Sequence, residues 1–124
     1  MGSAFLQVAI GGAIGSVLRY GVSIAMGISP GGFPLAVLTV NIFGSVLMGL
    51  FIGLAASRGL MGISPFVQTG LLGGFTTFSA FSLEAVTLYE RGAIGQAALY
   101  VGLSVGLSIA GLFLGLVMAR GLFS

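Results

Sequence analysis

The chain has 124 residues, of which 57% are hydrophobic and only 5% charged, with a net charge of +2 from four Arg and two Glu. A soluble domain carries about 25% charged residues, so this one cannot cover a water-facing surface and reads as an integral membrane protein. With no Cys and no His, thiol, disulfide, imidazole and zinc chemistry are closed; no basic patch forms, so nucleic-acid binding has no support.

A spanning helix needs about 20 mostly apolar residues. The hydropathy pattern predicts four spans, at about 4–26, 33–57, 66–89 and 93–119, in a single helical bundle with no soluble domain. The turn-rich Gly27-Ile28-Ser29-Pro30-Gly31-Gly32 ends the first. Pro34 is acceptable in the first turn of the second. The N-terminal segment lacks a basic n-region and a small-residue cleavage site, which argues against a removable signal peptide.

The first span holds Arg19, and a central Arg penalises insertion by about 2.5–3.5 kcal/mol unless it snorkels or pairs. Its place near the span's end suits snorkelling or capping a neighbour's carbonyls. In the second span Asn41, Ser45 and Gly49 form one stripe at four-residue spacing. Asn offers two N–H donors and an acceptor, for interhelical bonding or for an anion.

The third span contains Gly73-Gly74-Phe75-Thr76-Thr77-Phe78-Ser79-Ala80-Phe81-Ser82 near mid-depth. Glycine pairs form helices poorly, and irregular backbone in hydrocarbon is tolerated only against protein or a wet cavity. Tight helix crossing would account for the glycines alone. The added hydroxyls and rings point to a break in the helix and an ion or substrate site. Phe78 and Phe81, three apart, share a face, and a ring edge is positive. Ser79 alternates with these rings. Glu84 follows one turn later, as a vestibule residue, a proton or substrate site, or a partner for Arg19. In the fourth span Tyr100, Ser104 and Ser108 align at i, i+4 and i+8. They offer a hydroxyl track, unless each bonds its own i−4 carbonyl.

Glycines four apart (Gly11/Gly15, Gly49/Gly53, Gly70/Gly74, Gly102/Gly106, Gly111/Gly115) let helices approach closely in lipid. Their number suggests an oligomer. With a cytoplasmic N-terminus, Arg58 and Arg120 fall inside and Arg19 and Arg91 outside. Positive residues normally set orientation by their cytoplasmic excess, and this even tally is compatible with insertion in both directions.

The chain closely resembles the small fluoride-channel family (Fluc, also called CrcB). The matching pieces are Gly11-Gly12-Ala13-Ile14-Gly15-Ser16-Val17-Leu18-Arg19, Thr39-Val40-Asn41-Ile42-Phe43-Gly44-Ser45 and, most specific, residues 73–82. The resemblance implies an all-α membrane protein whose four transmembrane helices include a third helix broken near its middle, assembled as an antiparallel dual-topology dimer. It further implies passive fluoride export through two pores, no enzymatic activity, and residence in the cell (inner or plasma) membrane as a multi-pass protein. The implied fluoride pathway is Asn41, Phe78, Ser79, Phe81, Tyr100, Ser104 and Ser108. A structural Na+ at the dimer centre is implied to sit on the backbone carbonyls of Gly73 and Thr76. The implied partners are fluoride, a second copy of the chain and the lipid bilayer. Ala80 departs from the family, which often has a Thr there, and Ala36-Val37-Leu38 stands where Gly-Thr-Leu is common. A different class, the proton-coupled small multidrug transporter, would need Glu84 as its exchange carboxylate.

Overall fold

The computed structural model describes residues 2–27 and 32–123. Helix α1 (Gly2–Met26) follows from an apolar run with no proline, and α2 (Leu35–Arg58) starts directly after Pro34. Gly59, at φ 67°, ends α2 in the left-handed conformation, and its N–H bonds the Ala55 carbonyl. Glycine adopts that conformation without the Cβ penalty, which is why it closes so many helices.

The third span is compound. A 3-10 turn (Met61–Ile63) leads into a π-helix (Pro65–Leu72), then a single α turn, α3 (Gly73–Phe75). After two extended residues the chain re-enters a helix as α4 (Phe78–Glu90). A turn with Gly92 at φ 82° connects to α5 (Ile94–Phe123). The stretches Gly2–Met26, Leu35–Arg58, Met61–Glu90 and Ile94–Gly121 are each long and apolar enough to cross a membrane. This is a multi-pass membrane protein, helical throughout, with no strand among the described residues.

Two helix pairings organise the bundle. Helix α1 lies on residues 65–75, and α2 lies on α5, with α4 also against α5. In lipid no water-driven force joins apolar helices, so small residues that admit backbone-to-backbone contact decide the seams. A Cβ on Gly11 or Gly15 would run into the carbonyls of Phe66 or Leu71, and one on Gly74 would stand 2.8 Å from the Gly12 carbonyl. On the other seam a Cβ on Gly49 would meet the Leu112 carbonyl, and one on Gly115 the Val46 carbonyl. Four of the five sequence pairs therefore sit on crossings. Gly102 and Gly106 face open space.

The enclosed core is small and lies toward one end, where Leu38, Leu88, Ala97 and Tyr100 cluster with Phe33 and Phe81 packed around them.

Candidate functional site

The site begins where the third span stops being a helix. Gly73 keeps helical geometry, at φ −62° and ψ −37°. The break comes at Thr76 (φ −86°, ψ 158°) and Thr77 (φ −153°, ψ 121°). The glycines are not the break itself; Gly74 serves the crossing with α1. Thr76 ends the helical ladder, with its N–H bonded to the Leu72 carbonyl at 3.0 Å and its hydroxyl to the same oxygen at 2.9 Å.

In a continuous helix the N–H of Thr77 would bond the Gly73 carbonyl, and that of Ala80 the Thr76 carbonyl. Both donors are turned elsewhere. The Thr77 N–H bonds Asn41 Oδ1 at 2.8 Å, while Asn41 Nδ2 donates to the Thr77 carbonyl at 3.1 Å. The Ala80 N–H bonds Thr77 Oγ1 at 3.1 Å, so Thr77 caps α4. The Gly74 carbonyl accepts from Arg19 Nε at 3.1 Å. This is the carbonyl-capping role the position of Arg19 predicts. Gly73 and Thr76 are thus two of the carbonyls at the break, their helical donors turned instead to the side chains of Asn41 and Thr77. Bare carbonyl oxygens suit a hard cation and nothing softer, so the donor set fits the sodium ion that the resemblance implies.

Beside the break runs an open groove of about 370 Å³ between α2, α4 and α5. Asn41, Ser45, Thr76, Thr77, Phe78, Phe81, Ser104 and Ser108 line it, with Met48, Ile109 and Leu112 as its apolar wall. The fold thus brings Asn41, Phe78, Phe81, Ser104 and Ser108 together from three helices. The rings form a chain. Phe78 and Phe81 have centroids 5.5 Å apart, Phe81 and Tyr100 5.4 Å, and Phe33 meets Tyr100 edge-on at 5.7 Å. No ionised side chain stands on the groove wall.

Two hydroxyls in this region, one turn apart on α5, have no hydrogen-bond partner elsewhere among the described residues: Tyr100 Oη and Ser104 Oγ. Their residues are 0% and 5% exposed. An unsatisfied buried donor costs about 1–3 kcal/mol. Serine has a local remedy in its own i−4 carbonyl, which Ser82 and Ser23 both take, bonding Phe78 and Arg19 respectively. Ser104 does not.

The remaining predicted residues lie off the groove wall. Ser79 shares a 3.3 Å hydroxyl contact with Thr77, and Tyr100 sits behind Phe81. Glu84 lines a separate pocket of about 190 Å³ with Ser23, Phe33 and Pro34, and no ion pair joins it to Arg19. Sequence reasoning did not single out Thr77 as a cap, although a Thr directly before a helical apolar run is a recognisable N-cap signal. It also did not single out Gln7, whose Oε1 accepts from the Phe66 N–H at 3.3 Å. A lone amide four residues from a serine in an apolar helix carries no such signal.

The family described as CrcB-like protein, Camphor Resistance (CrcB), matches residues 6–116. A relative from Ruegeria sp. (strain TM1040), named fluoride-specific ion channel FluC, is 65% identical over 121 residues, covering 96% of each chain. Another of the same name, from Roseobacter denitrificans, is 59% identical over 97% of this chain and 98% of its own. A third, from Jannaschia sp. (strain CCS1), is 72% identical over 76% of this chain and 90% of its own. The broken third span, the groove and the extent of these matches agree, and the chain belongs to the CrcB-like family.

Proposed function

We propose that this chain is a fluoride-selective channel, working as an antiparallel dimer with two pores and letting fluoride leave the cytoplasm down its electrochemical gradient. The observation that carries this reading is the pair of partnerless hydroxyls, Tyr100 Oη and Ser104 Oγ, beside a cation-free groove edged by Phe78 and Phe81. The names of the curated relatives support it.

Fluoride holds its water tightly, so a path for it must replace hydration with donors of matching strength. Serine and tyrosine hydroxyls and the unused N–H of Asn41 supply those donors. The positive edges of the phenylalanine rings add attraction without a fixed cation that would trap the ion. Ser104 and Ser108, one turn apart, hand the ion along the groove, and Ser79 and Thr77 flank its entry. A narrow apolar wall turns larger halides away. Phe78 is 78% exposed in the single chain, which suits a ring completed by a second copy.

Sodium, when bound by the Gly73 and Thr76 carbonyls of both copies, would supply a fixed positive charge that locks the two breaks together. Arg19 keeps the Gly74 carbonyl out of that set. Glu84, in its own pocket near the start of α2, serves as a vestibule residue.

The test is fluoride efflux from liposomes, read with a selective electrode. Rapid fluoride discharge with chloride retained is expected. Failure to discharge fluoride, or equal passage of chloride, would sink the reading.

A further inference from the structure

We infer that Asn41 and Gly44 of α2 form the cradle that holds the third span open, and so select the Gly73 carbonyl as one left for a cation. In this scheme Asn41 is a positioning residue rather than only a donor on the ion path. The inference rests on the sodium reading above for what the freed carbonyls do, but not for how they are freed.

In an extended residue the N–H and C=O project to the same side, which is how facing residues in a sheet exchange two hydrogen bonds. Thr77 is extended, and the carboxamide of Asn41 reaches both of its groups, accepting at 2.8 Å and donating at 3.1 Å. The side chain takes the place of a neighbouring peptide. Among the residue types, only the amides combine a donor and an acceptor in a plane that can pair this way. A carboxylate would accept and not donate, and an apolar side chain would do neither. In hydrocarbon the alternative for Thr77 is to take back the Gly73 carbonyl and close the helix, since an unpaired backbone group there is costly.

Gly44, three residues on, supplies the space. A Cβ at that position would run into the Thr76 methyl and stand 3.3 Å from the Phe75 ring. That methyl cannot swing aside freely, because the Thr76 hydroxyl is held on the Leu72 carbonyl. One helix face therefore carries both the pairing group and the gap into which the break fits.

The test uses the full-length protein in detergent, melted across a sodium series with ionic strength held constant by a bulky organic cation. Wild-type melting should rise with sodium. In Asn41→Leu, similar in shape but unable to pair, the half-maximal sodium concentration should increase by on the order of tenfold to a hundredfold, the ratio carried by two net hydrogen bonds. A residue with a merely structural role would lower melting at every sodium concentration and leave that half-point unmoved. Gly44→Ala, whose Cβ would occupy the gap that Thr76 fills, should also raise the half-point. Unchanged half-points in both variants overturn the inference.

Amide exchange gives an independent arm that needs no variant. The wild-type Thr77 N–H should exchange as slowly as the amides inside α4; rapid exchange there overturns the pairing outright. If wild-type melting ignores sodium while Thr77 is protected, the cation reading fails and the carbonyl-selecting role fails with it. The cradle at Thr77 would then stand as the part retained.

Discussion

The two halves of the third span depart from α-helical geometry in opposite ways. Before Gly73 the chain overwinds nothing and loses nothing: the π-helix Pro65–Leu72 keeps its backbone bonds within the segment and merely shifts their register. That half is bound to α1 through glycines, with Gln7 pinning its entrance at the Phe66 N–H. After Phe75 the chain gives its helical bonds away. Asn41, Arg19 and Thr77 side chains take over groups that a helix would have paired internally. The difference teaches that irregularity alone does not make a site in a membrane. A site arises where backbone groups are released, and here side chains from α1 and α2 decide which ones.

The largest effect that would break this contrast is at the seams. Gly15→Leu should abolish a folded, monodisperse protein, because its side chain must displace the Leu71 carbonyl rather than a flexible group. Overpacking of this kind costs about 1–3 kcal/mol even in softer cores. A well-folded Gly15→Leu protein, judged by size exclusion and thermal melting, would refute the close crossing. Gly102→Ala is its counterpart, since nothing among the described residues lies near that position. It should leave stability unchanged or raise it, by up to about 1 kcal/mol. A large loss of dimer with the fold intact would reveal that a second copy covers this face.

Next come the rings. Phe78→Ile and Phe81→Ile should each slow fluoride efflux by roughly tenfold, the scale of a lost aromatic interaction of about 1.4 kcal/mol. Phe81→Ile should also lower the melting temperature slightly, because that ring stacks on Tyr100 and Phe78 does not. Unchanged flux in both would remove the rings from the mechanism.

Ser104→Ala separates a functional hydroxyl from a structural one. Its Oγ has no partner, so deleting it should leave the melt unchanged or raise it, by up to about 1 kcal/mol. Fluoride flux should nonetheless fall. A destabilised variant with normal flux would mean that the hydroxyl holds the bundle together and does not meet the ion.

The smallest effects separate the two halves themselves. Gln7→Leu should cost about 0.6 kcal/mol, typical of a hydrogen bond between membrane helices, with selectivity and sodium response intact. A changed sodium response would show the two halves to be coupled. Glu84→Gln should change efflux by less than the ring variants; complete loss together with proton-coupled export of organic cations would favour a transporter instead.

Much of this protein was legible before any coordinate. An apolar run of about 20 residues has few fates other than spanning a bilayer, so the four spans followed from composition. Glycines four apart announced close crossings, and Phe78, Phe81, Ser104 and Ser108 declared themselves by helical spacing. Those features are local, and local pattern is what a sequence records directly. The position of the break was not legible from the glycine pair, which invites it at Gly73–Gly74, because glycine propensity is a weak preference that tertiary contacts override. Here α1 needs Gly74 helical for its crossing, and Asn41 captures Thr77, 36 residues away in sequence. Only the folded structure decided that the Thr77 N–H goes to Asn41 and the Ala80 N–H to Thr77, while the Gly74 carbonyl is capped by Arg19. Each of those assignments depends on which of several competing donors lies within about 3 Å, and that distance is set by helix packing rather than by the chain's own order.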